Sequence, residues 1–211
     1  MKLAIIGATG RAGRAAFKEA QSQGIDVTAI VHDPNRANEI LGSDAKTISH
    51  DIMELTQEDL SGFDAIADFS ALQPAYLNLD SGTKLISMFR ENKDTRLFFV
   101  IGSSSLIDEN GATQLSHTLE KFAGEPWLDI PIEHMHKLDF LKMVNNVQWV
   151  AMTPQDDFVE GPKTEYQIGT NHPLADKNGK FEVSTGNFAA AFVDELLHPA
   201  HNQEQFTVAD K

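Results

Sequence analysis

The sequence contains no cysteine. That absence removes disulfide bracing, a thiol nucleophile and any thiolate-held metal. Basic residues are few and scattered: 17 Lys and Arg stand against 31 Asp and Glu, for a net charge of −14. A surface that grips nucleic acid needs clustered Lys and Arg to neutralise phosphates, so a nucleic-acid partner is not expected. No apolar run approaches the roughly 20 residues that a membrane-spanning helix needs. Met1-Lys2 leads directly into a short apolar run, without the basic and long apolar regions of a secretory leader. A cytoplasmic location with no membrane partner is the resulting expectation. Charged residues at 23% and apolar residues at 41% are ordinary globular proportions and argue against wholesale disorder. At 211 residues the chain suits one domain, 1–211, with a sizeable core.

What the chain has instead is a glycine turn at its start. Leu3 to Ile6 form the short apolar run of a strand covered on both faces, ended by Gly7. Ala12, Ala15, Ala16 and Ala20 then supply small residues for a helix lying close against the sheet. Gly7, Gly10 and Gly13 are spaced G-x-x-G-x-x-G, one residue off the G-x-G-x-x-G dinucleotide fingerprint. The three divide the work: one turns the chain, one lets backbone approach a pyrophosphate, one lets helix and strand touch. Unpaired N–H groups and the positive dipole end at the helix start would face the phosphates. Gly7, Thr9, Gly10, Arg11, Ala12 and Gly13 are therefore candidate cofactor-binding residues.

The order of the remaining segments predicts a doubly wound parallel α/β sheet, a Rossmann fold. Strands are expected at Ile25–Val31, Ala45–His50, Phe63–Phe69, Arg96–Ile101 and Val147–Met152, then a short one at Lys180–Val183 and a last one at Gln205–Val208. Helices are expected at Leu55–Leu60, Asp80–Asn92, Pro131–Asn145 and Asn187–Leu197. The stretch from Leu106 to Asp129 reads as irregular, and Asp156–Pro162 as a loop. At the tip of the second strand, His32 and Arg36, with Arg11 and Arg14, favour the 2′-phosphate of NADP, while Asp33 favours NAD. NADP is the slightly preferred coenzyme, with NAD as the other choice. Asp51 and Ile52 suit an adenine edge, although an Asp capping a turn fits Asp51 equally. Phe69, Ser70 and Ala71, then Gly102 and Ser103, and finally Thr153 and Pro154, end strands on the cofactor side. Residues 154–185 would contribute a loop region on the substrate side. Phe122 and Trp127 could wall a pocket, although aromatic side chains are more often core.

Four stretches carry a family resemblance: Ala4–Gly13, Val27–Val31, Phe158–Tyr166, and Phe188–Ala191 continuing through Leu196, His198-Pro199 and Phe206–Val208. Together they span almost the whole chain. The sequence resembles the NAD(P)-dependent atypical short-chain dehydrogenases of the NmrA-like group, and most closely the proposed NADH-flavin reductases described as Rrf2-linked. The resemblance implies a Rossmann domain with a small C-terminal substrate region, binding NADP or NAD and reducing a flavin, such as FMN or FAD, or a similar flat conjugated acceptor. Relatives often carry Arg at the position of His32, Asp at Asn187, Pro-Gly at Glu160-Gly161, and a glycine-rich segment where Ser103-Ser104-Ser105-Leu106 stands.

The usual short-chain dehydrogenase protonates a carbonyl with a Tyr-x-x-x-Lys pair. Here Asp80 follows Tyr76 and Thr170 follows Tyr166 at that spacing, and the expected helix reads Glu133-His134-Met135-His136-Lys137. Flavin reduction escapes this requirement, since the ring spreads the incoming charge and water supplies the second proton. Ser103, Ser104 and His136 are the remaining candidate catalytic residues. His134 and His136 have no third ligand at a recognisable spacing, so no metal is expected. An alternative function is a redox-sensing regulator that binds NAD(P) without turnover; a nucleotide-sugar epimerase ranks below both. Self-association is left open.

Overall fold

The computed structural model describes residues 1–211. The glycine turn joins β1 (Lys2–Ile6) to α1 (Arg11–Ser22), and the chain continues through β2 (Asp26–Val31), α2 (Pro34–Leu41) and β3 (Lys46–Ser49). It then crosses back through β4 (Ala65–Asp68), α3 (Leu77–Met88) and β5 (Arg96–Val100). After α4 (Gln114–Phe122) and α5 (Asp129–Lys142) come β6 (Gln148–Thr153), β7 (Asp157–Val159), β8 (Tyr166–Gly169), β9 (Glu182–Ser184), α6 (Thr185–Leu197) and β10 (Glu204–Asp210).

Eight strands form one sheet in the order β3-β2-β1-β4-β5-β6-β10-β8. Seven of them run parallel, and β8 pairs antiparallel with β10. This is the α/β doubly wound arrangement expected. Each central strand splits its side chains between two cores, because successive residues face opposite sides of a sheet. Leu3, Ile5, Phe98, Val150 and Met152 meet the α1 and α6 face. Ala4, Ile6, Leu97, Phe99, Trp149 and Ala151 meet the α3 and α5 face. Strand order reverses between β1 and β4, so their carboxyl ends diverge and leave a crevice there.

Local capping explains several boundaries. The Asp33 carboxylate accepts from Asn35 N at 2.9 Å and Arg36 N at 3.2 Å, and Pro34 opens α2. The Ser184 hydroxyl accepts from Asn187 N at 3.2 Å, starting α6 two residues before the expected Asn187.

Three expectations are corrected and one strand is added. Leu55–Leu60 forms turns instead of a helix: Asp59 Oδ2 accepts from both Thr56 N and Thr56 Oγ1, closing a single turn between buried Leu55 and Leu60. The stretch 106–129 contains a helix, α4, capped by the Thr113 hydroxyl, which accepts from Ser116 N at 3.1 Å. The 156–162 loop carries β7, which pairs in parallel with β9. Tyr166–Gly169, not assigned from the pattern, is β8 on the sheet edge. No helix is long and apolar enough to cross a membrane.

Candidate dinucleotide and acceptor site

The crevice at the β1/β4 switch holds a cavity of about 450 Å³. Its floor is the glycine turn. Gly7 has φ +76°, and a Cβ there would lie 2.9 Å from the Phe69 carbonyl group and Ser70 N, so the β4 loop can close over it only because it is glycine. A Cβ on Gly13 would sit 2.2 Å from the Gly7 carbonyl oxygen, which makes Gly13 the residue that lets α1 touch the strand end. Gly10 precedes α1 as its N-cap residue and offers no side-chain cap. The first N–H groups of α1 therefore have neither an intrahelical nor a capping partner. No acidic residue stands in the first turn of α1, and the Arg11 guanidinium lines the cavity while packing 5.0 Å over the Phe158 ring. Unpaired amides, a positive dipole end and one cation together suit a diphosphate.

Of the residues expected from sequence, Gly7, Thr9, Gly10, Arg11, Ala12, His32, Ile52, Phe69, Ser70 and Ala71 line this one space. The others do not. Gly13 lies beneath the floor, in its packing role. Arg36 is exposed on α2. Asp51 Oδ1 accepts from Met53 N at 2.7 Å, so its carboxylate fastens a turn instead of facing an adenine. Thr153 and Pro154 are buried; Thr153 Oγ1 accepts from Gln205 Nε2 at 2.7 Å beneath the serine turn. Ser103 and Ser104 form that turn, outside the lining, and Gly102 donates its N–H to His134 Nδ1 at 3.2 Å. His136 is exposed on α5 and pairs with Glu133 Oε2 at 3.2 Å. Phe122 and Trp127 pack on each other, 5.5 Å between centroids, exposed and away from the cavity.

Eight lining residues were not assigned to the site from sequence: Ile6, Ile30, Val31, His50, Leu72, Val100, His134 and Phe158. His134 is the informative one. It shares a helix face with Lys137, Leu138 and Leu141, at the i, i+3, i+4, i+7 spacing of a buried stripe. Lys137 conceals that stripe because it reads as a surface residue, yet it is wholly buried. Its Nζ lies 3.5 Å from Asp68 Oδ2, and a Cβ on Gly82 would meet its Cδ at 2.7 Å, so α3 is notched to admit it. Asp68 Oδ1 accepts from Ser70 N at 3.0 Å and from the Ser70 hydroxyl. The pair therefore locks the β4 loop that closes over Gly7. Burial, with Lys137 next and Asp68 opposing, lowers the His134 pKa from 6.5 to about 4, so the imidazole is neutral near pH 7. It cannot act there as a charged proton donor.

The 154–185 region is fastened over this end. Gln155 Nε2 donates to Thr207 Oγ1 at 2.8 Å while its Oε1 accepts from Leu174 N at 2.9 Å. Arg14 reaches Glu160 at 2.8 Å and Lys163 reaches Glu19 at 2.8 Å, tying the segment after β7 to α1. Phe158, tilted against Phe188 at 5.0 Å, is thereby held as a wall of the cavity.

The uncharacterized protein YwnB of Bacillus subtilis (strain 168) is 35% identical to this chain, over all of it and 99% of its own length. A structure from Lactobacillus casei superposes with a TM-score of 0.94 at 36% identity, covering all of this chain and 99% of that one. A structure from Streptococcus pneumoniae TIGR4, described as a proposed NADH-flavin reductase, gives 0.88 at 32% identity over the full length of both chains. The model of the NAD(P)H-binding family matches residues 7–199, from the first glycine of the turn to just past α6, and the chain belongs to that family.

Proposed function

We propose that the protein is an NAD(P)H-dependent reductase of a flavin, or of a similar flat conjugated acceptor, of the NmrA-like atypical short-chain dehydrogenase kind. The observation that carries this reading is continuity: the phosphate-suited floor and an apolar, aromatic-walled end formed by Val100, Leu72 and Phe158 are one space. A reduced nicotinamide held there supplies a hydride, two electrons with one proton, while water supplies the acceptor's second proton. The α1 amides and Arg11 hold the diphosphate. Leu72, Val100 and Phe158 exclude water and offer flat contact area. The absence of a Tyr-x-x-x-Lys pair is no obstacle, since such an acceptor needs positioning more than an acid.

NADP is the favoured coenzyme. Asp33, the carboxylate that would hold an NAD ribose, caps α2 instead, while His32 and His50 line the mouth. The similarity to the pneumococcal protein supports the flavin acceptor. The test is to mix the purified protein with NADPH or NADH and FMN and to follow absorbance at 340 nm. Oxidation that depends on both protein and FMN, faster with NADPH, is the expected result. Coenzyme binding without oxidation above the uncatalysed rate would refute the reductase and leave a non-catalytic sensor.

A further inference from the structure

His134 holds the only buried side-chain nitrogen or oxygen without a hydrogen-bond partner, its Nε2. The other ring nitrogen, Nδ1, accepts from Gly102 N at 3.2 Å. A backbone N–H can only donate, so Nδ1 carries no proton and the neutral ring must carry it on Nε2; the tautomer is assigned from that bond. Gly102 permits the contact, because a Cβ there would lie 3.1 Å from Nδ1. The approach and orientation of the ring are thus fixed from the main chain of the β5 end.

The surroundings leave this donor unmatched within the protein. Leu72, Val100 and Phe158, which line the same cavity, have no polar side-chain atoms. The hydroxyl of Ser70 is committed to Asp68, and the Lys137 ammonium also faces Asp68. An unmet buried N–H is unfavourable; Nε2 is itself closed to solvent, so an acceptor atom entering the cavity relieves it as the ring or a wall side chain shifts. A neutral imidazole with a fixed N–H is a known electrophilic device, stabilising negative charge that grows on a bound ring without giving up its proton.

We propose that His134 binds the hydride acceptor, its Nε2–H donating to a carbonyl oxygen or ring nitrogen of a flavin seated at the β5 end of the cavity. This rests on the reductase reading above. It makes His134, rather than His136 or the serine turn, the polar determinant of which acceptors are reduced: rings with a hydrogen-bond acceptor on their edge are selected over apolar ones. In the reaction the imidazole keeps its proton; the N–H bond lengthens and shortens but does not transfer.

The direct test is NMR of the ¹⁵N-labelled full-length protein. The His134 Nε2–H resonance is to move downfield when FMN is added to the complex with NADP⁺, and not with NADP⁺ alone. A resonance unmoved by FMN, or already moved by NADP⁺, overturns the proposal. In parallel, His134→Leu is to lower kcat/KM for FMN roughly 10- to 100-fold with NADPH affinity by calorimetry unchanged, and His134→Gln, which keeps an N–H donor, is to recover part of it. Equal losses in the two variants, or none in either, would also overturn it. Failure of the wild-type protein to bind NADPH in the same calorimeter is a different outcome, one that removes the reductase reading itself.

Discussion

At the β1–α1 end of the cavity the wall is main chain: Gly7, Gly10 and the first amides of α1 lie within seven residues of one another. Towards β5 the wall is side chains drawn from distant segments: Leu72 after β4, Val100 on β5 and His134 on α5, with Phe158 on β7 also packing under the Arg11 guanidinium of the first end. The first end is set by backbone conformation and bears no buried charge. The second depends on an ion pair, Lys137 with Asp68, enclosed between α3 and the sheet. A local device can be altered without unfolding the chain, whereas one assembled from separate elements shares its contacts with the core.

The largest effect should therefore come from the β5 end. Lys137→Met leaves Asp68 buried without its cation and is expected to cost about 3–5 kcal/mol of stability, measured by urea denaturation. Adding Asp68→Asn should recover a good part of that loss; no recovery would mean that the pair is not what holds the loop. The next effect is a pH dependence at the same end. The unfolded chain protonates His134 near its ordinary pKa of 6.5, but the native chain resists until about pH 4, chiefly because the ring is buried, with Lys137 also opposing the proton and Asp68 favouring it. Stability from this group is thus complete above pH 6.5 and is lost as pH falls toward 4, about 3 kcal/mol in all. Subtracting the profile of His134→Gln from that of wild type isolates the term, and two parallel profiles would contradict it.

At the β1–α1 end the effects fall on binding. Gly10→Glu should weaken NADP(H) binding by roughly 100-fold or more, equivalent to about 2.7 kcal/mol, by setting a carboxylate against a diphosphate. The fold should survive, since φ −71° and ψ 167° at Gly10 suit any residue and a Cβ there meets only the Gly7 carbonyl oxygen, at 3.3 Å. Smallest is Arg11→Ala, expected to weaken binding about tenfold, with the lost contact to Phe158 adding little to instability. If Arg11→Ala lowered stability more than Lys137→Met, the contrast between the ends would be reversed.

The same contrast explains what could be read in the sequence. The strand–glycine–helix unit is written in contiguous residues, so its turn, its packing glycine and its uncapped helix start were legible, as were the buried strands whose apolar runs alternate between two cores. Legibility ended where a residue's role depends on a partner far along the chain. His134 and His136 are neighbours with the same chemistry, and only the stripe shared with Leu138 and Leu141 separates the inward one from the exposed one. Lys137 interrupts that stripe because its partner, Asp68, lies 69 residues away. β7 is three residues long and exists through β9, more than twenty residues later, so Asp157–Val159 resembled a loop. Asp51 was ambiguous in sequence, and the amide of Met53 decided it.

On the proposed function, the β1–α1 turn holds the diphosphate of a nicotinamide dinucleotide. Titrating NADPH into wild-type protein and into Gly10→Glu in a calorimeter tests it most directly. Saturable one-site binding to wild type, with a loss of roughly 100-fold or more in a variant that remains folded, is the predicted result. Equal affinity in the two proteins would place the dinucleotide elsewhere and contradict the account.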